Sequence, residues 1–288
     1  MKNKKNSRIF IIGAARSGTN ILRDTLYSLD GVTTWPCDEI NLIFRHGNKN
    51  MPYDEFDQAQ ARPKVKKFIQ NEFLKLEKKY PNHMVLEKTC ANSLRVPFLN
   101  EIFPNSKFIF IVRNGYDVTA SAKKRWKSSI ELDYLIKKVK FVPKADIPYY
   151  LIQFAKNRIK QFFSNEKRMS IWGPVYKGMH EDSKIKPLEE VSAKQWARSV
   201  GKAYKDLLEL EIERTYFLNY ESFVKDPGMH MKNISVWLNQ NWTDEEIKKA
   251  IKNIRPTSIG KAENKIKNNK AIQDIIEPVM KQIYSKIQ

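Results

Sequence analysis

The first regular pattern in the chain is Arg8-Ile9-Phe10-Ile11-Ile12, a short, mostly β-branched apolar run that halts at Gly13. A run of this length bounded by glycine predicts a strand buried on both faces. After a loop, Leu22, Leu26 and Leu29 recur at helical spacing until Asp30-Gly31 stops the segment. A second amphipathic helix is predicted from Lys64 to Tyr80, with Val65, Ile69, Phe73 and Leu76 on one face. Met84-Val85-Leu86 is a short strand candidate. A helix near Leu94 to Phe103 and a Pro104-Asn105 turn lead into Phe108-Ile109-Phe110-Ile111-Val112, the strongest strand pattern in the sequence. A helix from about Tyr116 follows. Thr215-Tyr216-Phe217-Leu218 is the last strand candidate, and Thr243 through Glu246 reads T-D-E-E, a capping box opening a helix to Ile254.

Strands that alternate with helices predict a parallel sheet covered on both faces. Between Lys123 and Ala203 the alternation loosens into helices and loops without a convincing strand, the pattern of an insertion or lid. There is no internal repeat and no low-complexity linker, so a single domain over residues 1–288 is expected.

Composition narrows the chemistry only at the edges. With 41% hydrophobic and 29% charged residues the chain reads as soluble and globular. The charged start MKNKKNSR leads into only a five-residue apolar run, too short for a leader, so a cytoplasmic protein without a membrane span is expected. Two cysteines, Cys37 and Cys90, make no disulfide framework, and His46, His83, His180 and His230 lack ligand spacing, so no metal site is expected. Lys and Arg number 52 against 32 Asp and Glu, a net charge of +20. Such a field attracts nucleotides, nucleic acid, acidic glycans or a membrane surface, and a Lys- and Asn-rich composition with solvated faces produces it equally.

The loop after the first strand is more selective. Gly13-Ala14-Ala15-Arg16-Ser17-Gly18-Thr19-Asn20 lies between a strand and a helix, where backbone N–H groups and a helix N-terminus make an anion cradle. Its two glycines are spaced as in the phosphate loop G-x-x-x-x-G-K-[ST]. Thr19 and Asn20 stand where that loop needs its lysine and its magnesium-binding hydroxyl, so a nucleoside triphosphatase would lack both. The cation sits inside the loop instead, at Arg16, which suits a donor whose transfer needs no metal. At the end of the strongest strand, Arg113 occupies the edge where open parallel sheets bind ligands, and Ser121 lies just over one turn into the next helix. Two separated phosphate contacts point to a nucleotide phosphorylated at two places.

These residues resemble those of the sulfotransferases that use 3'-phosphoadenosine 5'-phosphosulfate (PAPS). Ala15-Arg16-Ser17-Gly18-Thr19-Asn20-Ile21-Leu22 is similar to the family's PRSGTTLL loop for the 5'-phosphosulfate, and Arg113 to Ser121 to its 3'-phosphate motif. Leu86-Glu87-Lys88-Thr89, Asn92 to Arg95 and Ile102 to Phe108 resemble a stretch of the branch containing bacterial and tyrosyl-protein members. Asn219 to Pro227 resembles the family's YEDLvxDP, Trp172-Gly173-Pro174 with Gln195-Trp196 resembles a bacterial lid, and Arg255 to Lys261 a C-terminal nucleotide loop. The likeness runs in order from about residue 8 to 265. Ala15, Asn20, Cys90 and Ala262 depart from it, standing where Pro, Thr, Pro and an aromatic residue are usual.

The resemblance implies a P-loop NTPase-like three-layer α/β fold with a central parallel sheet flanked by helices, plus a mainly helical insertion or lid at about 123–203. It implies PAPS as cosubstrate, adenosine 3',5'-bisphosphate as product, and no metal. Arg16 and Lys88 would act near the bridging oxygen and sulfonate. Ser17, Gly18, Thr19 and Asn20 would supply the 5' cradle, Arg113 and Ser121 the 3' contacts, and Tyr220 a place beside the adenine. Ser258, Gly260 and Lys261 would close over the nucleotide, with Ser258 also counted among the catalytic residues. The family's glutamate base lies in a turn after the first helix, where this chain has Cys37-Asp38-Glu39-Ile40-Asn41, so Glu39 is expected as general base with Asp38 in reserve. The expected acceptor is a glycan, a lipid-linked sugar or a small-molecule hydroxyl, and nucleic acid is not expected as a partner. Two other classes remain open at this point: another P-loop-type nucleotide-binding transferase or kinase, and a non-catalytic basic protein that binds glycan or nucleic acid through the face around Lys123-Lys124-Arg125-Trp126-Lys127.

Overall fold

Five strands pair side by side in a computed structural model that describes residues 7–126, 142–152, 172–262 and 264–287. They are β1 (Arg8–Ile12), β2 (Val32–Thr33), β3 (Met84–Glu87), β4 (Lys107–Val112) and β5 (Thr215–Asn219). The sheet order is β2-β3-β1-β4-β5, and every pairing is parallel. Phe10 pairs with Glu87 on one side and Phe108 on the other, which puts β1 at the centre.

Both faces of β1 are buried, and alternate residues enter different cores. Phe10 and Ile12 join Phe73, Phe103 and Phe108 in one cluster, while Ile9 and Ile11 join Leu22, Leu26 and Leu29 in the other. Helix α1 (Thr19–Tyr27) therefore covers the second face, together with helices Tyr220–Lys225, Pro227–Trp237 and Asp244–Ile251. The first face is covered by α3 (Pro63–Lys79), α4 (Val96–Ile102), α5 (Gly115–Trp126), the long helix Leu188–Leu208 and the C-terminal helix Lys270–Tyr284. The short α2 (Asn41–Phe44) packs on the same side. The result is three layers around a parallel sheet.

Topology then creates the crevice. The chain leaves β1 through α1 on one face towards β2, and leaves β4 through α5 on the opposite face towards β5. The loops after β1 and β4 diverge, so a cleft opens at the C-terminal ends of these neighbouring strands.

The structure adds elements that the pattern did not predict, among them β2, α2 and the C-terminal helix Lys270–Tyr284, and it alters three that the pattern did. The helix expected from Leu94 begins as a 3-10 turn, Cys90–Leu94, before α4 starts at Val96 with Pro97 in its first turn. The Thr243 capping box forms, with Glu246 N donating to Thr243 Oγ1 at 3.2 Å and Thr243 N donating to Glu246 Oε2 at 2.7 Å, but the helix stops at Ile251 rather than Ile254. Within the stretch read as an insertion, residues 188–203 belong to a helix that buries Trp196, Val200 and Ala203 against the body of the fold. Residues 127–141 and 153–171 of that stretch lie outside the described residues.

Phe73 anchors the first core. Its ring lies 4.6 Å from Trp35, 4.5 Å from Phe103 and 5.8 Å from Phe10. Phe73→Ala is expected to cost about 3–5 kcal/mol, because a void between these three rings collapses poorly. Urea unfolding should show it as a lower midpoint with an unchanged slope.

Candidate active site

The cradle begins where β1 and β4 crowd each other. A Cβ on Gly13 would meet the Ile111 carbonyl oxygen at 2.7 Å, so only glycine lets the chain turn there. Two residues of the loop then take left-handed backbone angles, Arg16 at φ 72° and Gly18 at φ 86°. Ser17, between them, is fully buried, and its Oγ has no hydrogen-bond partner among the described residues. Gly18 precedes the first turn of α1, whose initial N–H groups have no intrahelical acceptors. A buried, unpaired hydroxyl beside free N–H groups is the donor set an oxyanion of a phosphate requires.

Arg113 stands across the cleft at the end of β4 and is nearly buried. Its Nη1 donates to the Arg16 carbonyl at 3.1 Å and its Nη2 to the Ser258 carbonyl at 2.6 Å. The guanidinium lies 4.7 Å over the Tyr220 ring, and Trp196 Nε1 donates to the Arg113 carbonyl at 3.1 Å. Tyr220 in turn packs on the cradle: a Cβ on Gly18 would fall 2.3 Å from its Cδ2. Its hydroxyl pairs with Ser258 Oγ at 2.6 Å. Arg16 Nε donates to Ser121 Oγ at 2.9 Å, so the cation of the first motif meets the hydroxyl of the second. Desolvation by the loop walls, then the positive charges of Arg113 and Arg125, lower the Arg16 pKa from its ordinary value. Arginines that repel one another around a cleft gain by taking up an anion.

The C-terminal loop is anchored by its backbone. Gly260 N and Ala262 N donate to the two Asp117 carboxylate oxygens at 2.7 and 2.8 Å. Main-chain donors carry the closure, so Ala262 serves where an aromatic residue was expected. Gly260 takes a φ of 72°, and Lys261 and Asn20 are exposed.

The acidic turn meets the end of β3. Lys88 is almost fully buried, and its Nζ donates to Glu39 Oε1 at 3.2 Å; the Cys90 backbone N–H reaches the same oxygen at 3.3 Å. Desolvation is the largest influence on Lys88 and acts to lower its pKa, but Glu39 and its other acidic neighbours outweigh it and the ammonium is held above its ordinary value. Asp38 points elsewhere, to Arg23 of α1 at 3.1 Å, with its side chain 42% exposed. Cys90 is a buried thiol pushed up to about 12 by desolvation and by Glu39, which leaves it protonated and inert at neutral pH.

Glu39 and Lys88 thus come together, as do Arg16 with Ser121 and Tyr220 with Ser258. Trp172-Gly173-Pro174 also meets Gln195, whose Nε2 donates to the Trp172 and Pro174 carbonyls at 2.8 and 2.9 Å. Sequence reasoning passed over Asp117, Trp196 as the brace of Arg113, and Glu221, which accepts from Asn114 N at 2.9 Å. Asp117 carried one readable signal, its position one turn after Arg113 in the same motif. Among the described residues no three His, Cys, Asp or Glu side chains are placed to hold a metal ion.

A parallel sheet with a phosphate cradle at its switch point, facing a second cationic site on the neighbouring strand, defines an α/β nucleotide-binding enzyme. Residues 8–140, a little under half of the chain, match a family described as the sulfotransferase family. Solved structures of similar fold include a sulfotransferase domain from the curacin biosynthetic pathway, at 18% identity and a TM-score of 0.52, covering 99% of this chain and 92% of that one. A sulfotransferase from Alicyclobacillus acidocaldarius aligns at 14% identity and a TM-score of 0.55, covering 98% and 96%. One from Mycobacterium avium aligns at 12% and 0.56, covering 98% and 78%. No curated protein matches the sequence.

The Gly18–Tyr220 contact makes a testable pair. Gly18→Ala places a Cβ inside the tyrosine ring at a left-handed residue and is expected to destabilise by about 1–3 kcal/mol. Tyr220→Ala removes the obstacle, so the double variant should lose less than the sum of the two single ones. Simple additivity in thermal unfolding would show that ring and loop do not touch.

Proposed function

We propose that this sulfotransferase takes its sulfuryl group from PAPS and passes it to an acceptor hydroxyl by in-line displacement. The observation that carries the reading is the ion pair between a buried Lys88 at the end of β3 and a half-buried Glu39, on the same sheet edge as a phosphate cradle that has no lysine of its own. The 5'-phosphosulfate would lie on Ser17, Gly18, Thr19 and Asn20, and the 3'-phosphate between Arg113 and Ser121. Tyr220, Ser258, Gly260 and Lys261 would wall and close the nucleotide site.

In the transfer, the acceptor oxygen forms a bond to sulfur as the bond from sulfur to the bridging phosphate oxygen breaks. Glu39 takes the acceptor's proton. Charge builds on the leaving oxygen, where the Lys88 ammonium and the Arg16 guanidinium stabilise it. The protein's contribution is alignment, proton acceptance and electrostatics, as in phosphoryl transfer.

A glycan, a lipid-linked sugar or a small-molecule hydroxyl is the proposed acceptor class. A single domain over residues 1–288 is supported by the near-complete coverage of this chain by the similar structures. Among the described residues no helix is long and apolar enough to cross a membrane. A kinase reading is disfavoured because Thr19 turns inwards, 3.7 Å from Cys90 Sγ, and supplies no cation.

Adenosine 3',5'-bisphosphate should stabilise the protein without magnesium, by about 2.7 kcal/mol at ~100 times its dissociation constant. Arg113→Ala should lose about 1.5–3 kcal/mol of that affinity and the preference over AMP. A thermal shift that needs magnesium, or that AMP equals, would count against two phosphate sites.

Glu39→Gln should lower turnover by about 10²–10⁴-fold with little change in nucleotide affinity. Asp38→Asn should be mild, since that carboxylate is engaged by Arg23. A panel of glycans, lipids and phenols with sulfur-35 PAPS supplies the acceptor, and full activity in Glu39→Gln would move the base elsewhere.

A further inference from the structure

Behind the Glu39–Lys88 pair lies a second carboxyl that the transfer does not use. Glu87, the last residue of β3, is 1% exposed. Its Oε1 accepts from Thr89 Oγ1 at 2.6 Å and its Oε2 from Asn92 Nδ2 at 2.6 Å. Both contacts continue towards the acidic turn. Thr89 Oγ1 accepts from Ile40 N at 3.1 Å. Asn92 Oδ1 accepts from Arg95 Nε at 2.8 Å, and Arg95 Nη2 donates to Asn41 Oδ1 at 2.7 Å. Two arms from one carboxylate thus grip the residues immediately after Glu39, one through Ile40 and one through Asn41.

The polarity of these arms is set by Glu87 acting as an acceptor on both oxygens. A proton on Oε2 would face the Asn92 amide hydrogens. A proton on Oε1 would turn towards Thr89, whose oxygen already accepts from Ile40 and whose own hydrogen would then have no acceptor. The substitution Glu87→Gln meets the same choice: its NH2 faces either Asn92, which cannot rotate without presenting hydrogens to Arg95, or Thr89, whose own hydrogen then has no acceptor.

We infer that Glu87 is a positioning residue for the general base, and that its deprotonated form locks the Glu39 turn against Lys88 while its protonated form releases it, making sulfotransfer pH-gated. The inference rests on the assignment of Glu39 as base. The charged groups facing Glu87 are Arg95 and Lys88, which favour the anion, and Glu39, which opposes it; Asp54 and Arg45 stand behind Arg95. Desolvation outweighs the Thr89 hydrogen bond and these cations, raising the Glu87 pKa from 4.5 to about 7. Arg95, packed 4.9 Å from Phe44, is lowered by burial to about 10 and stays a cation across this range.

The sign separates gating from a structural role. Because the folded pKa lies above the unfolded one, the folded state binds the extra proton between pH 4.5 and about 7. This group's contribution to stability is therefore fully present at low pH and lost as pH rises through about 7. Turnover should run the other way, falling as pH drops through the same range. A protein that becomes more stable and less active on the same titration is the signature sought.

The test uses the full chain, with PAPS cleavage to adenosine 3',5'-bisphosphate, water being the acceptor, followed from pH 5 to 9, and carbon-13 NMR of glutamate-labelled protein. One glutamate carboxyl should titrate near neutrality and vanish in Glu87→Gln. That variant should lose about 10–100-fold in kcat from displacement of the base, bind the bisphosphate within about twofold of wild type, and lack the limb near neutrality. If Glu87→Gln does not fold, Thr89→Val removes the Ile40 arm alone. Its limb should move to higher pH, since the Thr89 hydrogen bond holds the carboxyl down, and its kcat should fall. An unmoved limb with wild-type kcat in the folded variant, or the absence of a glutamate titrating near neutrality, overturns the inference. Failure of the underlying reading appears separately, as wild-type turnover in Glu39→Gln alongside an intact Glu87 titration.

Discussion

Arg113 leaves the end of β4 with a charge that its surroundings cannot hydrate, and much of the site is arranged around that constraint. Two carbonyls, one from the cradle and one from the C-terminal loop, accept its hydrogen bonds, and the Tyr220 ring offers its face. A buried guanidinium needs partners for its donors, and both Nη groups find them while Nε has none among the described residues. Meeting that demand ties together segments separated by 97 and 145 positions in sequence, from Arg16 to Arg113 and from Arg113 to Ser258. The cradle, the sheet edge and the closing loop are thereby set in one geometry, with Trp196 bracing the arginine from the helical layer.

The same economy appears on the other side of the cleft. The acidic turn after β2 has little regular structure of its own, only the four-residue α2 that follows it. It is placed by what it contacts: Lys88 and Cys90 N for Glu39, Thr89 for Ile40 N, Arg95 for Asn41. Arg95 is fully buried between aromatic rings and acts through side-chain amides rather than on the reacting groups. The Glu39 carboxylate, on a short turn, is thus held by a polar network rooted at the end of a strand.

Electrostatics gives the two sides different tasks. Around the cradle, arginines repel one another, which favours entry of a multiply charged nucleotide. Around Glu39, opposite charges meet in a desolvated place, which keeps Lys88 charged and Cys90 protonated. The chain's overall +20 explains neither arrangement, because each depends on which few charges share a cavity.

By itself the sequence determined those features that local physics controls. The β-branched runs at Ile9–Ile12 and Phe108–Val112 could be little other than buried strands, and Gly13 and Gly18 could mark only a turn too tight for a Cβ. Arg16, Arg113 and Ser121 stood out because each sits at a fixed offset from such an element, and Lys88 only through the resemblance to a known motif. The acidic turn offered Glu39 with Asp38 in reserve, since a turn has no periodicity to set its register; in the fold Glu39 meets Lys88 and Asp38 meets Arg23. Asp117, Trp196 and the Glu87–Arg95 arms were beyond local pattern. Their partners lie from tens to well over a hundred residues away, and Trp196 reads in sequence as one more apolar position on a helix. Only the folded sheet, by bringing the ends of β1, β3 and β4 to one edge, decided which of the chain's many polar residues share a cleft, because buried donors and acceptors must find each other wherever the chain has placed them.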